Sequence, residues 1–125
     1  MNWMHLSQVA LGGAIGASAR YATGVATLRA FGPGFPWGTF VVNLLGSFLM
    51  GVLAVTMAQT GNRFAPLLMT GVLGGFTTFS AFSLDAVSLW ERGQAGTAAL
   101  YVAASVTLAI GGLLLGLLAA RTALT

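Results

Sequence analysis

The chain contains no cysteine and no lysine, a single histidine and only two acidic residues. Without cysteine there are no disulfides and no thiolate ligands, and His5, Asp85 and Glu91 alone supply neither a structural zinc site nor a redox centre. A Ser-His-Asp arrangement would require His5, at the edge of the first apolar stretch, to fold onto Asp85 in the third, so enzymatic catalysis is not expected. Charge of either sign is scarce. Charged residues make up 6% of 125, about a quarter of the share in a soluble domain, while 57% are hydrophobic. Such a composition, with mean hydropathy +0.89, excludes a water-soluble fold.

A helix needs roughly 20 apolar residues to cross a hydrocarbon core about 30 Å thick. Four charge-poor stretches of that size are present, Leu6–Leu28, Trp37–Ala58, Phe64–Trp90 and Ala95–Ala120. They leave almost nothing for an extramembrane domain, so the expectation is one all-α transmembrane domain over residues 1–125. The N-terminus lacks the charged region, short apolar run and small-residue cleavage site of a signal peptide and is read as a retained first helix.

The net charge of +3 arises from five arginines that do not cluster. Arg29, Arg63, Arg92 and Arg121 each fall near the end of a stretch, where long side chains anchor at the interface. A nucleic-acid patch therefore has no support. Counted by side, Arg63 and Arg121 oppose Arg29 and Arg92, a two-against-two tie that favours neither orientation. That tie is what a subunit inserted both ways and paired antiparallel would show.

Gly12, Gly16, Arg20 and Gly24 recur at intervals of four and form one stripe of the first helix. Small residues there permit close helix approach, while Arg20 either snorkels to the interface or acts as a fixed charge that attracts anions or braces the fold. Thr39, Asn43, Ser47 and Gly51 repeat the spacing in the second stretch, and Thr97, Tyr101 and Ser105 in the fourth. Such groups are either interhelical glue or the lining of a polar track. Tracks without a carboxylate suit a negative permeant, with Asn43 the strongest single candidate.

In the third stretch, Gly74-Gly75-Phe76-Thr77-Thr78 predicts a helix broken inside the membrane, which frees carbonyls of the kind a small cation binds. Phe79 and Phe82 share a face and are either core or offer positive ring edges to an anion; spacing alone favours core. The run Gly12-Gly13-Ala14-Ile15-Gly16 is not a nucleotide loop, because no strand precedes it and no lysine exists for a phosphate.

Three motifs together, Gly12–Tyr21, Gly38–Phe48 and Gly74–Ser83, resemble those of the CrcB/Fluc family of fluoride channels, and the length and four-span layout match as well. The resemblance implies an antiparallel dual-topology homodimer in the inner (plasma) membrane of a prokaryote, four helices per chain with a break in the third. Two passive fluoride pores, lined by both subunits, would lower cytoplasmic fluoride. It further implies that Asn43, Phe79 and Phe82 line the pore, with Thr78 and Ser80 beside them and Tyr101 and Ser105 on a fourth-helix track that Thr39 adjoins. Gly74 and Thr77 correspond to residues whose carbonyls hold a structural sodium ion on the two-fold axis, and Arg20 to the family arginine of the first helix. Two positions depart from the pattern: Asp85 stands where a glutamate is frequent, and Ala109 where the track often continues with a hydroxyl. The competing classes are a small multidrug-type proton-coupled exporter, which needs an acid in the first span where this chain has Arg20, and an assembly subunit without transport of its own.

Overall fold

A computed structural model describes all residues, Met1–Thr125. The chain is all-helical, with α1 (Trp3–Phe31), α2 (Trp37–Thr60), a π-helical segment π1 (Pro66–Leu73), α3 (Gly74–Phe76), α4 (Phe79–Glu91) and α5 (Ala95–Ala123). The four expected stretches thus form four rods, the third composite, with every end within three residues of its expected boundary. Asn2 caps α1 through its Oδ1, which accepts the N–H groups of Met4 at 2.9 Å and His5 at 3.2 Å. Gly32 ends α1 with a positive φ of 79°, a conformation disfavoured for residues carrying a Cβ.

Trp37–Thr60, Pro66–Glu91 and Ala95–Ala123 are long and apolar enough to cross a membrane. α1 equals α5 in length, at 29 residues, but glycine, serine and Arg20 dilute its apolar character. Only 16 of 125 residues are buried, so most large apolar side chains face outward, the reverse of a water-soluble fold.

Packing follows the small-residue stripes. α1 lies against π1 and α3, and α2 against α5. A Cβ at Gly16 would collide with the Val72 carbonyl and come within 2.8 Å of the Phe76 nitrogen, so α1 approaches the third rod backbone to backbone. One small core joins Phe82, Leu89, Ala98 and Tyr101, and a second joins Val42, Leu73 and Phe76. At the loop end of the first core, the Phe35 ring meets Phe40 and Tyr101 edge-on, at 5.7 and 5.3 Å between centroids.

The third rod is broken within the expected run Gly74–Thr78, at its threonines. Its break is not at the paired glycines: Gly74 keeps helical angles (φ −63°, ψ −36°). Extended backbone begins at Thr77 (φ −89°, ψ 159°) and continues through Thr78 (φ −155°, ψ 124°). Gly75 serves packing instead, since a Cβ there would come within 2.8 Å of the Gly13 carbonyl. Thr77 ends the first half by returning both its N–H and its hydroxyl to the Leu73 carbonyl, at 3.0 and 2.9 Å.

Candidate functional site

Two extended residues inside a packed rod leave main-chain groups without helical partners, and these must be satisfied from elsewhere. Asn43 on α2 does so for Thr78. Its Nδ2 donates to the Thr78 carbonyl at 3.0 Å, and its Oδ1 accepts the Thr78 N–H at 2.8 Å. The main-chain N–H can meet only an acceptor, which fixes the orientation of the amide. One of the two Nδ2 hydrogens is thereby committed, and a single N–H remains free. Asn43 is therefore first a brace of the break and only then an available donor, a role that spacing along α2 did not disclose.

Arg20 on α1 makes the corresponding contact before the break, donating from Nε to the Gly75 carbonyl at 3.1 Å. Of the alternatives for this arginine, bracing is observed, and snorkelling to the nearer helix end is not. The carbonyls of Gly74 and Thr77 take no hydrogen-bond partner, and Gly74 is exposed on one side of the chain. Hard-cation chemistry fits two such oxygens, whereas no cluster of three His, Cys, Asp or Glu side chains exists to hold a metal otherwise.

α4 starts at the break with Thr78 as its N-cap, the hydroxyl accepting the Ala81 N–H at 3.1 Å and lying 3.3 Å from the Ser80 hydroxyl. The positive end of the α4 dipole thus sits where the negative end of α3 stops. Phe79 and Phe82, the first and fourth residues of α4, have ring centroids 5.5 Å apart but unequal surroundings. Phe82 is 8% exposed and packs on Tyr101, whereas Phe79 is 77% exposed. The core expectation therefore holds for Phe82 and fails for Phe79, which stands exposed at the N-terminal end of α4 beside the open cavity.

Beside the break lies an open cavity of about 320 Å³ bordered by Asn43, Ser47, Thr78, Phe79, Phe82 and Ser105. Ser105 is 5% exposed, and its hydroxyl has no hydrogen-bond partner. Ala109 forms part of the same wall, so the missing hydroxyl of the fourth-helix track leaves an apolar patch here. No carboxylate borders this cavity.

A second, larger cavity of about 640 Å³ opens toward the loop between α1 and α2. Arg20, Thr39, Thr78, Asp85, Ser88 and Arg92 supply its polar wall, and Thr78 is the only residue common to both cavities. Asp85 accepts a hydrogen bond from the fully buried Tyr101 hydroxyl at 3.3 Å. Tyr101 borders neither cavity, and its hydroxyl is linked to the larger one through Asp85. Ser80 borders neither cavity as well. Ser88 and Arg92 were missed as site residues, although Thr78, Asp85 and Arg92 recur at intervals of seven, a spacing that puts them along one helical face.

Residues 7–117 match the family model described as CrcB-like protein, Camphor Resistance (CrcB). A protein of Cereibacter sphaeroides named Fluoride-specific ion channel FluC is 68% identical over 116 residues, spanning 93% of this chain and 94% of its own length. Proteins of the same name from Ruegeria sp. and Agrobacterium fabrum are 61% and 50% identical, each over 94% of this chain and over 94% and 97% of their own lengths.

Proposed function

The chain belongs to the CrcB family, and on that premise we propose that it is a subunit of a fluoride-specific channel, a passive conduit and not an enzyme. The observation that carries this reading is 50 to 68% identity, along nearly the whole chain, to proteins named fluoride-specific ion channels. The geometry accords with it. Fluoride is small and strongly hydrated, so a pore must replace its water with convergent donors. The remaining Asn43 N–H, the unpartnered Ser105 hydroxyl and the ring edges of Phe79 and Phe82 converge on a cavity that holds no competing negative charge. Thr78, shared by both cavities, is the point where an ion passes from the wide vestibule to the ring-lined groove, with Thr39, Ser80 and Tyr101 supporting that route.

We further infer that α1 is a fourth membrane span, since its 29 residues are long enough to cross and it packs against π1 and α3. The functional unit is an antiparallel homodimer in the inner membrane. Its support is the even arginine count and the 77% exposure of Phe79, whose ring lacks the second wall that another copy would supply. The Gly74 and Thr77 carbonyls of two copies would hold a structural sodium ion, which would neutralise four oxygens that otherwise lack partners. An exporter coupled to protons finds no acid on α1, where Arg20 sits instead.

Efflux from liposomes containing the purified protein, read with a fluoride electrode, tests the function. Fluoride efflux with chloride retained is expected, and proteoliposomes that retain both ions as tightly as protein-free ones overturn the reading.

A further inference from the structure

Sequence position alone assigns Arg92 to interfacial anchoring, as it does Arg29, Arg63 and Arg121. The structure separates it from those three, because Arg92 alone among them borders either of the two cavities described above. We propose that Arg92 is the outer charge of the vestibule, collecting anions at its mouth and offsetting Asp85 on their way to Thr78. The inference rests on the fluoride-channel reading.

Thr78, the N-cap of α4, Asp85 within it and Arg92, its C-cap, all border the larger cavity, and fourteen residues at 1.5 Å each put roughly 21 Å between the two ends. Asp85 stands about halfway, so an anion descending the wall meets a like charge roughly 10 Å from either end. Arg20 lies at the inner end, bound through Nε to the Gly75 carbonyl, and Arg92 at the outer end. Asp85 accepts its one observed hydrogen bond from the Tyr101 hydroxyl, and neither arginine neutralises it through an ion pair. With both arginines the wall carries a net charge of +1; without Arg92 it carries none.

The range of the effect follows from screening. A Debye length of about 8 Å at physiological salt confines Arg92 to the outer half of the vestibule, so its action is on ion entry and not on the ring-lined groove. One unit charge acting through water at about 7 Å raises the local anion concentration about threefold at low salt. At about 1 M salt the Debye length is about 3 Å and the enhancement vanishes.

The test compares wild type, Arg92→Gln, Arg92→Lys and Arg29→Gln in liposomes, with fluoride efflux measured in low and in high concentrations of an impermeant salt. Arg29 serves as control because it lies at the same end of the chain's rods but borders neither cavity. Efflux through Arg92→Gln is expected to fall about threefold at low salt and to return to the wild-type rate at high salt, with Arg92→Lys and Arg29→Gln near wild type throughout. The proposal is overturned by an Arg92→Gln rate equal to wild type at low salt, by a deficit independent of salt, or by an equal loss in Arg92→Lys, which keeps the charge. An inactive wild type overturns the channel reading together with this one, whereas an active wild type with an unaffected Arg92→Gln overturns this one alone.

Discussion

Asn43 and Thr78 are joined twice, Nδ2 to carbonyl at 3.0 Å and N–H to Oδ1 at 2.8 Å, so a side chain 35 residues away plays the part of a neighbouring strand for one extended residue. The same amide that would greet a permeating ion also holds the broken rod together. Structure and permeation are therefore coupled at this residue.

Asn43→Ala leaves both Thr78 groups unpaired, at a cost of about 1–3 kcal/mol each where water does not reach them. A lower unfolding temperature in detergent together with lost fluoride efflux is expected. Asn43→Asp keeps the acceptor for the Thr78 N–H but sets a carboxylate against its carbonyl, and it should abolish efflux while refolding better than the alanine variant. Retention of efflux by either variant would remove Asn43 from the pore.

Both phenylalanine variants should lose efflux, but they differ in stability. Phe82→Leu trims a buried ring in the core with Leu89, Ala98 and Tyr101 and should lower stability by about 1–2 kcal/mol. Phe79→Leu acts on a ring 77% exposed in the single chain and should leave the fold of each subunit intact while efflux collapses. Size-exclusion profiles, thermal melts and electrode traces on both variants distinguish these outcomes.

Close approach of α1 to the third rod is tested by two neighbouring glycines. Gly16→Ala forces a Cβ onto the Val72 carbonyl and should cost about 1–3 kcal/mol. Gly13→Ala meets nothing within 4 Å in the chain and should remain within about 0.5 kcal/mol of wild type. Equal melting temperatures for the two would contradict the packing described.

Because the chain has no cysteine, single substitutions report topology without background. Asn62→Cys and Gln94→Cys lie in exposed turns at opposite ends of the rods. With insertion in both orientations, each is expected to react with an impermeant maleimide from both sides of the membrane. Reaction of each from one side only would rule out the antiparallel dimer.

Sodium held by the Gly74 and Thr77 carbonyls of the assembled dimer should stabilise it by about 1.4–2.7 kcal/mol when free sodium is between about 10 and 100 times its Kd. Replacing sodium with N-methylglucamine should shift the dimer toward monomer on size exclusion. An elution profile indifferent to the cation would leave those carbonyls without a metal role.

Composition and periodicity by themselves determined that the chain is helical and apolar, where its four stretches run to within a few residues, and which polar residues share a stripe. These properties are local, since helical face and length depend on residues three to seven positions apart. The run Gly74–Thr78 was legible as a weak stretch for the same local reason, but tertiary packing decided where within it the helix gives way. Gly75 is drawn tight against α1, Arg20 ties its carbonyl, and the chain yields two residues later, where Asn43 can satisfy the exposed backbone of Thr78. The burial of Phe82 beside an exposed Phe79, and the placement of Arg92 in a cavity wall, were likewise decided by which rods lie side by side. Neighbour relations of that kind span tens of residues, and no local period carries them.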